Sequence, residues 1–358
     1  MRILVYFGHP AQYYFLKNAI KILRQDNCLI TIVIKSKDVL ESLLKEDSEE
    51  YYNILPEGRK SSRFHILTGL LKRDIRLFRF ALHKKFDLFI GSDASLAHIG
   101  RLLRIPVLTV TEDDISVIRW LARLTYPFTN YILTPEICDV GRYSRKKIGY
   151  NGYMKLAYLA PQYFKPVPVP IAKPYFLIRI ARLNAHHDFG IKGLNEQLID
   201  EISEILSKHG KVFISSEKSM SAKYQPYLLN IRPTEIHNYL ANAAMLICDS
   251  QSMSMEAAML GIPSIRFSDF AGRISVLEEL EHVYHLTYGI KTPEPQQLIE
   301  KIKELLSIPY LQDEFQRRRK KMLSEKIDVT SFIVWFIENY PLSVKKIKDT
   351  PEFQSTFR

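Results

Sequence analysis

The chain has 358 residues, 46% hydrophobic and 25% charged, with a formal net charge of +11. That length exceeds one compact core and implies two domains, and the composition is that of a soluble globular protein. No apolar run approaches the roughly 20 residues of a membrane span. Three scattered cysteines (Cys28, Cys138, Cys248) exclude a disulfide framework and a cysteine metal cluster, and they fit a reducing cytoplasm. The positive balance leaves nucleic acid, an anionic membrane surface and phosphorylated substrates as partners.

Residues 3–7 read as a first strand, in an apolar run too short for a signal peptide. Gly8-His9-Pro10-Ala11-Gln12 turns the chain into a helix over 12–24. Gly8 and Pro10 satisfy such a turn by themselves. His9 can act there as a base, an acid or a phosphate donor, because its reference pKa of ~6.5 lies near neutrality. A strand at 29–34 and a helix near 37–45 follow. The helix over 66–84 carries Leu and Phe at helical spacing with a basic face, as a core-facing helix does and as one resting on an anionic membrane does. Strand 87–91, helix 94–103 and strand 107–110 come next. Glu112, Asp113 and Asp114 then cluster at a strand end, which is costly unless they are solvated or paired. Either they cap a helix near 115–124, or Glu112 or Asp113 serves as base for an acceptor hydroxyl.

Residues 160–174 hold five prolines (161, 166, 168, 170 and 174) and read as an extended linker. The alternation restarts with strand 175–180, helix 194–208, strand 212–215, helix 234–242 and strand 244–248. Arg179 and Arg182, at the end of strand 175–180, have the fork geometry that grips a diphosphate and stabilises a leaving phosphate. His186, His187 and Asp188 are not read as a metal set, since adjacent histidines seldom ligate one ion. The run Arg317, Arg318, Arg319, Lys320, Lys321 reads as a solvated helix face, and 329–339 as a C-terminal helix. The pattern predicts an α/β chain of two Rossmann-like domains, with parallel sheets facing across a cleft. The expected bounds are 1–160 and 175–328, with 161–174 as linker and 329–358 packing back on the first domain.

Residues 245–265 are the most informative stretch: a buried strand, a polar turn at 249–252, a helix to Leu260, then Gly261 and a strand entered through Pro263. The first N–H groups of that helix point into the turn and make an anion site. Hydroxyls of Ser250, Ser252 and Ser254 add donors, and Glu256 can accept from a ribose diol. Ordinary capping explains Glu256 poorly, because Met253 stands where a capping box needs Ser or Thr.

Together these motifs resemble the GT-B superfamily of nucleotide-sugar glycosyltransferases and non-hydrolysing UDP-N-acetylglucosamine 2-epimerases. The chain is most similar to a family of unknown function within it, found in archaea and bacteria. The shared features are Gly8-His9-Pro10, Arg179 followed by Ala185-His186-His187-Asp188, Glu235-Ile236-His237, and Ser252 to Pro263. The resemblance implies nucleotide-sugar binding by Gly8, Arg179, Arg182, His187, His237, Ser250, Gln251, Ser252, Met253, Ser254 and Glu256, with no metal and no further cofactor. From their places at strand ends, His9, Glu112 or Asp113 is the expected catalytic group. The chain departs from the epimerases at Asp249-Ser250-Gln251-Ser252, where they have Asp-Ser-Gly-Gly, and at Ser92 and Thr111, where they have acids. The expectation is therefore a cytoplasmic glycosyltransferase using a UDP-sugar and a polysaccharide or lipid-linked acceptor, with epimerisation as the alternative. Peripheral contact with an anionic membrane stays open. A nucleic-acid module is disfavoured, because the sequence lacks aromatic–basic recognition motifs.

Overall fold

The computed structural model describes residues 1–36, 39–56, 63–181 and 193–358, with backbone alone for residues 63–67. Two compact units divide the chain: Met1–Tyr158 with Ile327–Arg358, and Leu159–Lys326.

Among the described residues the first unit holds seven strands: β1 (Arg2–Phe7), β2 (Leu29–Lys35), β3 (Tyr51–Leu55), β4 (Leu88–Gly91), β5 (Val107–Val110), β6 (Tyr131–Pro135) and β7 (Lys147–Tyr150). They form one parallel sheet in the order β3-β2-β1-β4-β5-β6-β7. The connecting helices are α1 (Pro10–Gln25), α2 (Leu40–Glu46), α3 (Arg63–Ala81), α4 (Ala94–Leu103), α5 (Arg119–Thr125) and a single turn, α6 (Leu156–Leu159). Right-handed crossovers put α1 and α2 on one face and α3, α4 and α5 side by side on the other. Central strands are buried on both faces, which is why β4 and β5 are apolar without alternation. Strand order reverses between β1 and β4, so their carboxyl ends flank the crevice where such sheets bind ligands.

The second unit holds β8 (Tyr175–Ile180), β9 (Lys211–Ser216), β10 (Met245–Cys248), β11 (Ser264–Phe267) and β12 (Tyr288–Ile290), all parallel, in the order β12-β11-β10-β8-β9. Its helices are α7 (Glu196–Ser207), α8 (Ile236–Asn242), α9 (Gln251–Leu260), α10 (Ser275–His282), α11 (Pro295–Ser307) and α12 (Leu311–Glu325). Order reverses here between β8 and β10. The proline-rich stretch is fixed to this unit by α8: the Val167 N–H donates to Asn238 Oδ1 at 3.1 Å, and Asn242 Nδ2 donates to the Val167 carbonyl at 2.9 Å.

The chain ends with α13 (Val329–Glu338) and α14 (Leu342–Asp349), both in the first unit. The Ala157 carbonyl accepts from Asn18 of α1 at 2.8 Å and from Thr330 of α13 at 2.9 Å. Tyr150 lies between Phe15 and Phe332, which continues the core beneath these helices.

Most predicted elements have observed counterparts, shifted by a few residues at their ends. The helix expected over 115–124 begins only at Arg119, and the acids do not cap it: Ile118 is its N-cap, with no side-chain bond. Strands β3, β6, β7 and β12 have no counterpart in the sequence reading, since each is short and carries a polar residue or glycine that breaks its apolar run. The basic run in α12 is not simply solvated. Arg319 Nε donates to the Met259 carbonyl at 2.5 Å, and Gln316 donates to the carbonyls of Leu260 and Gly261. Together they satisfy the C-terminal end of α9.

Candidate functional site

In the second unit the site is built on the turn from β10 into α9. Ser250 is the N-cap, its Oγ accepting from the Met253 N–H at 3.3 Å, while Gly261 closes the helix at φ +68. The N–H groups of Gln251 and Ser252 then have no intrahelical acceptor. Only Gln251, Ser252 and Glu256 of this helix are partly exposed. Ser252 and Glu256, one turn apart, share its open face. Glu256 Oε1 lies 3.5 Å from Nε2 of His237, which is buried on α8 and meets the edge of Phe164 at 6.1 Å.

Asp249, fully buried, ties the two central strands together: its Oδ1 accepts from the Ala181 N–H at 2.6 Å. A Cβ on Gly193 would fall 2.4 Å from its Oδ2, so only glycine fits there. Ala181 and Gly193 flank residues 182–192, and both lie against this turn. Burial pushes the Asp249 carboxyl up to about 6, against the opposing donation from Ala181. The folded chain therefore holds this proton more tightly than the unfolded chain. The resulting stability is complete below about pH 4 and is lost as pH rises through about 6. Asp249→Asn keeps the acceptor for Ala181 and is expected to flatten the profile between these limits by ~1–3 kcal/mol. Urea midpoints across pH check this, and parallel profiles for parent and variant would refute it.

In the first unit the switch point is occupied by charge. Asp93 caps α4 by accepting from the Ser95 N–H, and it pairs with Lys35 at 3.1 Å and Arg73 at 3.3 Å. Burial alone would raise this carboxyl, but the two cations overcome it and hold Asp93 well below the usual carboxylate range. His9 is the N-cap of α1, and its Nδ1 accepts from the Ala11 N–H at 3.2 Å. That bond places the proton of the neutral ring on Nε2, so His9 presents a donor. Glu112 is buried, its Oε2 2.6 Å from Lys155 Nζ and its Oε1 accepting from the Met154 N–H. Asp114 is also buried and accepts from the Asp139 N–H at 2.7 Å, whereas Asp113 stays partly exposed.

No protein-family model matches the sequence, and no curated protein matches it either. Solved structures do match. A Listeria monocytogenes protein assigned as a UDP-N-acetylglucosamine 2-epimerase superposes with TM-score 0.70 at 12% identity, covering 100% of this chain and 97% of its own. The Neisseria meningitidis UDP-GlcNAc 2-epimerase bound to UDP-GlcNAc gives 0.65 at 14%, covering 94% and 99%. The calicheamicin glycosyltransferase gives 0.59 at 13%, covering 95% and 98%. The chain has the GT-B fold.

Within this GT-B fold the structure sorts the residues singled out from sequence. Glu256 and His237 come together, with Ser252 beside them. Ser254 does not join them: it is fully buried, its Oγ 2.7 Å from Thr287 Oγ1 and 3.3 Å from Ser264 Oγ. It faces β11, so it cannot donate to a ligand in the turn. The Met253 side chain is likewise buried, and its N–H is spent on Ser250. Gln251 Nε2 donates to Ser268 Oγ at 2.9 Å. Arg179 turns toward β9, where it bonds Ser215 at 2.7 Å and pairs with Glu217. Arg182 and His187 lie outside the described residues. Gly8 donates its N–H to Gln12 and gives passage to Lys35, whose Cε would lie 3.0 Å from a Cβ there. Glu112 is a buried ion-pair partner, not a base open to an acceptor.

Asp249, Phe164 and the Lys35–Arg73–Asp93 group escaped sequence reasoning. Asp249 and Asp93 each directly follow a strand-end turn signal, which was the available clue. Glu278, Glu281 and His282 lie close enough together to hold a cation. Arg266, itself fully buried, already stands 3.8 and 4.0 Å from the two carboxylates and supplies positive charge there.

Proposed function

We propose that this chain is a glycosyltransferase that takes its sugar from a nucleotide donor, with UDP as the carrier. The observation carrying this reading is the open face of α9, Ser252 and Glu256, at the switch point of the second sheet and backed by buried His237. A diphosphate accepts hydrogen bonds from the free N–H groups of Gln251 and Ser252 and from the Ser252 hydroxyl, favoured by the helix dipole. Glu256, one turn further in and 3.5 Å from His237, accepts from the ribose diol. We assign stabilisation of the leaving phosphate to Arg182, whose fork-shaped guanidinium suits that charge. Among the acids, Asp113 is our candidate base for the acceptor hydroxyl. The acceptor class we favour is a polysaccharide or lipid-linked glycan.

Epimerisation is the second reading, because structural neighbours, the Listeria and Neisseria proteins among them, carry that designation. It needs carboxyls able to take up and return a proton at sugar carbon 2. Glu112 and Asp93 are engaged by Lys155, Lys35 and Arg73, which favours transfer.

A thermal-shift panel of nucleotides and nucleotide sugars is expected to show stabilisation by UDP and by one UDP-sugar. No shift from any nucleotide at millimolar concentration would overturn donor binding. Incubation with UDP-N-acetylglucosamine in deuterated water separates the two chemistries. Inversion at carbon 2 with deuterium uptake would replace transfer by epimerisation.

A further inference from the structure

The outer surface of α3, α4 and α5 is apolar where a solvated helix layer would be polar. Leu71 and Ile75 on α3 are 59% and 44% exposed, Leu102 on α4 65%, Trp120 and Leu124 on α5 70% and 40%, and Phe128 just beyond 40%. The three helices are joined at His98. His98 on α4 reaches Asp74 of α3 at 3.0 Å and the Leu124 carbonyl at 2.9 Å, and its ring meets Phe128 edge-on at 4.8 Å. A patch of this kind marks an interaction surface.

Its charge is of one sign. Lys72, Arg79, Arg101, Arg119 and Arg123 are exposed around the apolar side chains, with Arg123 lying over the Trp120 ring at 5.2 Å. The single acid of the three helices, Asp74, is turned against His98. Helices α13 and α14 are not part of this layer, since α13 packs on α1. Among the described residues no helix is long and apolar enough to cross a membrane. The arrangement therefore suits a body that rests on a surface: an exposed tryptophan at headgroup depth, leucines and phenylalanine below it, and a cationic rim.

We infer that the α3–α4–α5 face docks this protein on an anionic lipid bilayer. The rim supplies the charge complementarity that favours anionic lipid, and basic residues near such a surface add attraction that salt weakens. Docking is independent of donor chemistry, so it stands or falls apart from the proposed activity.

The test is sedimentation of the full chain with vesicles of phosphatidylcholine alone or mixed with phosphatidylglycerol. Binding is expected only with phosphatidylglycerol and is expected to weaken as salt rises. With Trp335 replaced by Phe, Trp120 emission should shift to the blue on binding. The double variant Trp120→Glu, Leu124→Glu should bind about tenfold more weakly or not at all. Both positions are exposed, so an unchanged melting curve will show that the variant is folded. Absence of binding to phosphatidylglycerol vesicles at low salt would overturn the proposal, as would undiminished binding by the folded variant. Concentration-dependent self-association that the variant abolishes, without vesicle binding, would assign the face to a second copy of this chain instead.

Discussion

Replacing Lys155 by Met is expected to destabilise the first unit by about 3–5 kcal/mol, the usual result of stripping a buried charge of its partner. Lys155 and Glu112 are both buried, and their charged atoms are 2.6 Å apart. Burial pushes the Glu112 carboxyl up, and Lys155 opposes that push. Without Lys155 the carboxylate keeps, among the described residues, the Met154 N–H, and its protonation becomes the cheaper state. The sign with pH follows. A carboxyl raised in the folded state stabilises when protonated, so the deficit of Lys155→Met should shrink as pH falls toward 5 and widen above neutrality. Adding Glu112→Gln, which retains an acceptor for the Met154 N–H, should recover much of the loss. Denaturation midpoints of the two single variants and the double variant decide the matter. A deficit independent of pH, or no recovery in the double variant, would show that the pair is not coupled in this way. Should Lys155→Met remain as stable as the parent, Glu112 would return as a candidate for chemistry.

Glu256→Gln is expected to lower UDP affinity by about 5- to 150-fold, the equivalent of losing ~1–3 kcal/mol from two charge-assisted contacts. The structure narrows what else Glu256 could be doing. Ser250 caps α9 through Met253, so the carboxylate is not part of a capping box. It sits instead one turn in, partly exposed, 3.5 Å from His237. A residue that only complemented the helix dipole would change stability by ~0.3–1 kcal/mol and leave affinity alone. Calorimetric titration with UDP, together with the unfolding midpoint, separates the two, and unaltered affinity would remove the ribose assignment. His237→Ala is expected to weaken UDP binding in the same direction, since Glu256 would lose the neighbour that fixes its rotamer. Its effect should be largely absent in the Glu256→Gln background.

Much of the architecture was legible along the chain. Repeated strand–helix alternation, a proline-rich interruption and Gly-Ile-Pro after a short helix sufficed for two Rossmann-like sheets, because crossover handedness and hydrophobic periodicity leave few alternatives. The turn at Ser250 that opens α9 was legible for a related reason: a strand feeding a helix leaves N–H groups without an intrahelical acceptor wherever it occurs.

Tertiary structure decided the rest, because side-chain direction depends on neighbours distant in sequence. Ser254 looked like Ser252, yet its position on α9 turns it onto Ser264 and Thr287, while Ser252 stays on the open face with Glu256. Arg179 looked like a phosphate ligand, but β8 lies beside β9, and Ser215 and Glu217 take its guanidinium. Glu112 read as a base only while Lys155, 43 residues away, was out of view. Periodicity and turn chemistry are local and survive in the sequence. Which charge meets which is settled by strand order and burial, where an unpaired ion would cost several kcal/mol.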